Sequence, residues 1–255
     1  MTVRCDFMAT SADRVDEQAL IEFADSPGTR GIALAGSAVR GELTEWSDLD
    51  VNRYAAGGGI ATTVAPRWVG DRLVRVSSQT MEEAWAELER PDQAIWAVLP
   101  LRSMRILVDR DGDVARLSER ARLFRWEDVA DRARSWASRR LAKDAENVLK
   151  LRAAMGAGDE SSILNAHLNL AAHCADAVAV ARGVLIPTEN RFHDVVRQAA
   201  GPEWTRRQRA AYGLDGGDAV ARARATCELY AHTLSLVDLD ADDRAVAERA
   251  LQALP

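Results

Sequence analysis

The stretch "GIALAGSAVRGELTEWSDLDV", residues 31–51, decides how the first half of the chain folds. Its apolar run ends at Gly36-Ser37, and Asp48 and Asp50 follow with one residue between them. Side chains two positions apart along a strand point to the same side, so a strand over "DLDV" places both aspartates on one face. The stretch therefore predicts a strand, a turn and a second strand that carries two neighbouring carboxylates.

The turn and the carboxylates together predict a phosphate site that faces a metal site. Adjacent carboxylates repel each other unless a cation lies between them, and Mg²⁺ commonly takes one or two carboxylates together with water and substrate phosphates. Gly36 allows the backbone to come close to a ligand, and the Ser37 hydroxyl can donate a hydrogen bond. A helix that begins in the following "SAVRGE" would direct its first N–H groups towards an anion.

Residues 1–120 predict an α+β domain with a mixed sheet and flanking helices. Short apolar runs bounded by Gly, Ser or Asp are typical of strands, namely "GIALAG", "DLDVNRY", "RLVRVSS" and "RILVDRDG". Helices are predicted over 13–26 and over 77–91, the second with a capping box at its start and Pro91 at its end. The glycine-rich segment 55–63 predicts a hairpin connection between two strands.

From about residue 121 apolar residues recur at steps of three and four, which is typical of amphipathic helices. The predicted helices cover 126–151, 161–182, about 190–200, a long segment capped by Asp218, and a last segment from about Asp242. Helices of this kind pack into a bundle. The chain is therefore predicted to hold an α+β domain, residues 1–120, followed by a helical bundle, residues 121–255.

The composition argues against several classes of partner. The 255 residues carry a net charge of −6 and have a pI of about 5.4, whereas a protein that binds a nucleic-acid backbone usually has a basic stripe. No run approaches the roughly eighteen apolar residues of a membrane helix, and the first residues lack the apolar core of a signal peptide. The three cysteines fit no metal spacing, so we expect a protein of the reducing cytoplasm, without nucleic-acid or membrane partners.

The stretch 31–51 also resembles a known family. Gly36-Ser37, ten intervening residues and Asp48-Leu49-Asp50, all after the strand "GIALA", are similar to the nucleotidyltransferases of the DNA polymerase β superfamily. Within it, small bacterial aminoglycoside and lincosamide nucleotidyltransferases also join an α/β catalytic domain to a C-terminal helical bundle.

The resemblance implies an activity and a role for each of these residues. Asp48 and Asp50 would be the catalytic carboxylates that hold Mg²⁺, and Gly36 and Ser37 would bind the β- and γ-phosphates of ATP or another NTP. A hydroxyl of a small molecule, such as an antibiotic, would then accept the nucleoside monophosphate.

One position departs from the family pattern. The family usually supplies a third carboxylate from the next long strand, here 71–78, but its central residue is Arg75. Asp71 could substitute after a local bulge, a carboxylate of the helical half could act as base, or catalysis could be lost. Arg75 could also bind phosphate through its planar fork. The alternative function is a non-catalytic protein of the same fold that binds nucleotides or regulates a partner in the manner of an antitoxin.

Three further features have a functional and a structural interpretation. Trp46 either stacks on a base or packs in the fold. The loop 187–193 either reaches the active site or caps the next helix through its threonine. A polar stripe either faces an acceptor or forms a solvated helix face, and its residues are Asn165, Asn169, His173 and Asp176. The chain could also form a homodimer, since a bundle helix could bury further area against a second copy.

Overall fold

The structure, a computed structural model, describes residues 16–57 and 63–252 of the chain. These residues form two compact units. The first contains the residues up to Leu88 together with Val98–Phe124, and the second contains Glu89–Ala97 together with the residues from Arg125 onwards.

Within the described residues, five strands form a mixed sheet in the first unit. They are β1 (Thr29–Ala35), β2 (Leu49–Ala55), β3 (Thr63–Val69), β4 (Arg72–Thr80) and β5 (Arg105–Asp109). Their order across the sheet is β3-β4-β2-β1-β5. The β2–β4 pair is parallel and the other three pairs are antiparallel. The predicted α+β class with a mixed sheet is confirmed.

Within the residues that the structure describes, five α-helices lie between the strands or next to them in the sequence. They are α1 (Glu17–Ala24), α2 (Ser37–Arg40), α3 (Met81–Glu87), α4 (Pro91–Ser103) and α5 (Asp113–Leu123). The predicted capping box of α3 is confirmed: Thr80 accepts a hydrogen bond from the Glu83 N–H, and the Glu83 carboxylate accepts one from the Thr80 N–H. The core packs apolar residues of α1 against three strands, with Leu20, Ala24, Ile32, Leu34, Leu49, Val51, Val74 and Val76 at its centre.

Two predictions for the first unit were wrong. Pro91 begins α4 instead of closing the preceding helix, because proline has no N–H and is well suited to a first helical position. Segment 55–63 does not connect a hairpin, since β4 lies between β2 and β3 in the sheet. The hairpin is formed by β3 and β4, with Gly70 and Asp71 as its turn. Residues 58–62 lie outside the described residues.

The second unit is helical, as predicted. Beyond the first residues of α4 its helices are α6 (Ala130–Lys143), α7 (Ala145–Ala157), α8 (Glu160–Arg182), α9 (Phe192–Ala200), α10 (Pro202–Ala211), α11 (Ala219–Leu236) and α12 (Ala241–Gln252). The long α8 packs against α6, α7 and α11. Its buried face is rich in alanine, which lets neighbouring helices approach closely. In the described part of the chain, no helix combines the length and the hydropathy needed to cross a bilayer.

The single long helix predicted over 126–151 was wrong. The segment contains a 3-10 turn, Trp126–Val129, followed by α6 and α7, which meet at Asp144. Because both helices pack against α8, the apolar period continues across the junction. The sequence pattern therefore does not show where α6 ends and α7 begins. The predicted cap of α11 is confirmed, because Asp218 accepts a hydrogen bond from the Ala221 N–H at 2.8 Å.

Candidate active site

The Gly36-Ser37 turn lies where β1 ends, and its backbone touches a carboxylate of the neighbouring strand. Ala35 is paired with Asp50, and Gly36 has φ 69° and ψ −151°. This conformation is practically restricted to glycine. A Cβ atom on Gly36 would lie only 2.4 Å from Asp50 Oδ2. The turn can therefore pass this close to the carboxylate only because residue 36 has no side chain.

The two aspartates of the motif occupy different backbone positions. Strand β2 begins at Leu49, so Asp48 lies one residue before the strand and only Asp50 is on it. Leu49 and Val51 enter the core, and Asp50 is half-buried on the opposite face, as the alternation requires. The expectation that one strand carries both aspartates was wrong, since Asp48 ends the preceding loop.

The loop before Asp48 is held from the neighbouring strand. Nη1 of Arg72 on β4 donates hydrogen bonds to the carbonyl oxygens of Thr44 and Ser47, the second at 3.4 Å. Because Ser47 directly precedes Asp48, this contact holds the backbone in place immediately before the two aspartates. The Thr44 Oγ1 and Ser47 Oγ atoms lie 3.0 Å apart within the same loop.

Arg75 lies directly beside Asp50. The parallel register of β2 and β4 pairs Asp50 with Arg75. Nε and Nη2 of the guanidinium lie 3.2 and 2.9 Å from the same carboxylate oxygen, Asp50 Oδ1. The Arg75 side chain is 51% exposed and that of Asp50 is 30% exposed, so the pair is open to solvent. The position where the family pattern expects a third carboxylate therefore holds a cation in contact with Asp50.

Asp71 does not take over this position. Strand β4 begins at Arg72, and Asp71 belongs to the turn between β3 and β4. The predicted strand 71–78 therefore begins one residue later than expected, and Asp71 does not lie on it. Among residues 16–57 and 63–252, no three His, Cys, Asp or Glu side chains form a cluster that could hold a metal ion.

The two aspartates of the motif are of the chemical kind that binds a divalent cation. Mg²⁺ is often bound by two carboxylates, with water and phosphate oxygens as its other ligands, and Asp48 and Asp50 can supply these two. The Asp50 carboxylate lies between the Gly36 backbone and the Arg75 guanidinium. A second cation would have to lie against the guanidinium, which carries the same sign of charge.

Comparison with known proteins bears on the fold alone. No protein-family model matches the chain, and no curated protein does. A solved structure, that of a nucleotidyltransferase-like protein from Exiguobacterium sibiricum 255-15, is similar with a TM-score of 0.55 and 17% sequence identity. The likeness covers 92% of this chain and 78% of the other. The chain has a nucleotidyltransferase-like fold.

The exposure of Trp46 excludes one of its two interpretations. Trp46 lies two residues before Asp48 and is 88% exposed. The expectation that it packs in the fold was therefore wrong. Stacking on a base stays a prediction. Trp68 on β3 is 71% exposed in the same unit.

The polar stripe of α8 separates into two parts. Asn165 and Asn169 are exposed, with Asn169 Nδ2 3.4 Å from Asn165 Oδ1, as expected for a solvated helix face. His173 instead binds a buried carboxylate of the α6–α7 junction. Burial raises the pKa of Asp176, one turn further on, above its ordinary value despite the attraction of Arg140.

The buried carboxylate is Asp144, which belongs to none of the predicted sites. Its side chain is 3% exposed. Oδ1 accepts hydrogen bonds from His173 Nδ1 at 2.7 Å and from Asn147 Nδ2 at 2.8 Å, whereas Oδ2 makes none, with Arg140 Nε 3.9 Å away. The signal in the sequence was an aspartate three residues after Leu141, on the apolar face of a helical pattern.

The loop 187–193 has a structural role in the second unit. Thr188 caps a 3-10 turn, Glu189–Arg191, by accepting a hydrogen bond from the Asn190 N–H at 3.4 Å. His193 Nδ1 lies 3.0 Å from Gln208 Nε2, and its ring packs edge-on against Tyr212. Burial, with a smaller effect of Arg197, lowers the pKa of His193. The capping interpretation is confirmed.

Proposed function

We propose that the protein transfers a nucleoside monophosphate from ATP or another NTP to a hydroxyl group of a small molecule, with Mg²⁺ as its metal ion. A single observation carries the proposal. The Gly36 backbone lies against the Asp50 carboxylate, two residues beyond Asp48, in a nucleotidyltransferase-like fold. An aminoglycoside-like or lincosamide-like antibiotic is the acceptor class that the sequence resemblance favours.

Each residue of the site would have a defined task. Asp48 and Asp50 would hold the metal ion, which when bound neutralises charge on the triphosphate. The turn at Gly36 and the Ser37 hydroxyl would bind the β- and γ-phosphates. The acceptor oxygen would attack the α-phosphorus in line, forming the new P–O bond as the bond to pyrophosphate breaks. The acceptor's proton would pass to solvent or to a base.

A non-catalytic, nucleotide-binding or antitoxin-like protein is the second candidate. The observation in its favour is the Arg75 guanidinium in contact with Asp50, where the family pattern expects an acid. An arginine cannot act as a base at neutral pH. Such a protein would keep the phosphate-binding turn but release no pyrophosphate.

The test is pyrophosphate release from NTPs with Mg²⁺ and a panel of hydroxyl-bearing acceptors. We expect release with at least one acceptor, and its loss in Asp50→Asn. Asp71→Asn is the matched control, because it removes a carboxylate from the nearby hairpin turn and should leave release unchanged. Nucleotide binding without release in the wild type would favour the second candidate, and absence of nucleotide binding would contradict both.

We also propose that the protein is cytoplasmic and that its partners are small molecules rather than a polynucleotide or a membrane. A homodimer is compatible with this proposal. The two described cysteines, Cys174 and Cys227, are buried and form no disulfide, which suits a reducing compartment. RNA binding that weakens steeply with salt would contradict this part of the proposal.

A further inference from the structure

Arg75 is placed to act as a cation of the site itself. Its guanidinium contacts Asp50 Oδ1 through two nitrogens, and the opposite oxygen, Oδ2, faces Gly36. A planar guanidinium keeps its charge at every relevant pH and matches the geometry of carboxylate and phosphate oxygens. The pair therefore places a permanent positive charge at the Asp50 carboxylate, on the oxygen that does not face the turn.

The charges of the site agree with a single added metal ion. Asp48, Asp50 and Arg75 sum to one negative charge, whereas three carboxylates would supply three. A third carboxylate in place of the guanidinium would offset the repulsion between two divalent cations, and Arg75 adds to that repulsion. The exposure of Arg75 also leaves its guanidinium within reach of a ligand that enters from solvent.

We propose that Arg75 takes the place of a second divalent cation, so that the site binds a nucleoside triphosphate with one metal ion and the guanidinium. This inference rests on the proposed function for the identity of the ligand. It goes further by assigning Arg75 a phosphate-binding role and by limiting the number of metal ions.

The test counts Mn²⁺ ions by electron paramagnetic resonance in the presence of α,β-methylene-ATP, which cannot be cleaved at the reacting bond. We assign to the site those bound Mn²⁺ ions that the wild type has and the Asp50→Asn variant lacks. We expect one such ion in the wild type and two in Arg75→Asp, which restores a three-carboxylate site. Arg67→Asp is the matched control, because it makes the same charge change on the neighbouring strand β3 and should leave one ion. Arg75→Gln should weaken binding of the analogue about tenfold.

The outcomes separate this inference from the proposed function. Two ions or none in the wild type with the nucleotide bound would overturn the role of Arg75 and leave nucleotide binding intact. A single ion in a folded Arg75→Asp variant, as judged by circular dichroism, would overturn it as well. One ion and bound nucleotide without pyrophosphate release would support the role of Arg75 and contradict nucleotidyl transfer. Absence of both ion and nucleotide would overturn both.

Discussion

The two units each contain an aspartate paired with a basic side chain, and the two pairs differ in exposure. Asp50 and Arg75 form an ion pair whose side chains are 30% and 51% exposed, whereas Asp144 is 3% exposed next to a His173 that is 24% exposed. Charges near water are well solvated, so an exposed pair adds little to stability and its groups can exchange partners for a ligand. A buried carboxylate depends on its hydrogen bonds, because water cannot replace them.

This comparison separates a candidate binding position from a structural one. The proposed function would use the open pair beside Gly36, whereas the buried pair links α8 to the junction between α6 and α7. The same residue type therefore has different tasks, and the surroundings decide which.

The largest difference in stability between the two pairs is expected when each aspartate is removed in turn. We expect Asp144→Ala to lower the free energy of unfolding by about 1–3 kcal/mol, because it removes the hydrogen-bond partner of the half-buried His173 and Asn147. Asp50→Ala is the matched variant in the exposed pair and should change stability by less than about 1 kcal/mol. Urea denaturation followed by circular dichroism measures both. Equal losses would show that exposure does not separate the two pairs.

A second variant tests the close contact between Gly36 and Asp50 in the exposed region. Gly36→Ala should destabilise the protein by about 2–4 kcal/mol, because the new Cβ meets Asp50 Oδ2 in a backbone conformation that suits glycine alone. Gly41→Ala is the control. Gly41 also has a positive φ, of 70°, but open space around its Cβ position, so we expect a loss of only about 1 kcal/mol.

The same two variants separate a local strain from a binding defect. Nucleotide affinity, measured by calorimetry with α,β-methylene-ATP, should fall in Gly36→Ala and stay unchanged in Gly41→Ala. Unchanged affinity in a folded Gly36→Ala protein would mean that the turn does not contact phosphate.

The smallest expected effect on stability concerns the exposed tryptophans. Trp46→Ala should leave the free energy of unfolding within about 0.5 kcal/mol of the wild type, because the ring is 88% exposed. If the ring stacks on the base, affinity for the nucleotide should fall about tenfold, since base–aromatic stacking contributes about 1–3 kcal/mol. Trp68→Ala, 71% exposed in the same unit, should change neither quantity. Equal affinities of the two variants would exclude stacking by Trp46.

Local patterns predicted much of the first unit. The alternation of Leu49, Asp50 and Val51 correctly assigned the buried and open faces of β2, and the strand pattern correctly placed Arg75 within a strand. The order of the strands was not predictable in this way, since β3 joins the sheet through β4 and is separated from β2. Strand pairing depends on contacts between distant residues, which a local pattern does not contain.

In the second unit, the helical periodicity predicted the class of structure but missed the break at Asp144. A helix can end without changing its apolar period when the next helix packs against the same neighbour, as α6 and α7 do against α8. The buried contact with His173 lies 29 residues away in the chain, so neither residue indicates it alone.

The sequence by itself determined the elements that depend on neighbouring residues: the glycine turn, the alternating strand, the capping box at Thr80 and the cap at Asp218. Only the tertiary structure decided that Arg75 touches Asp50, that Trp46 is exposed and that Asp144 is buried beside His173. The reason is physical. Backbone conformation follows from local sterics and hydrogen bonds, whereas the environment of a charge depends on which distant segments exclude water from it.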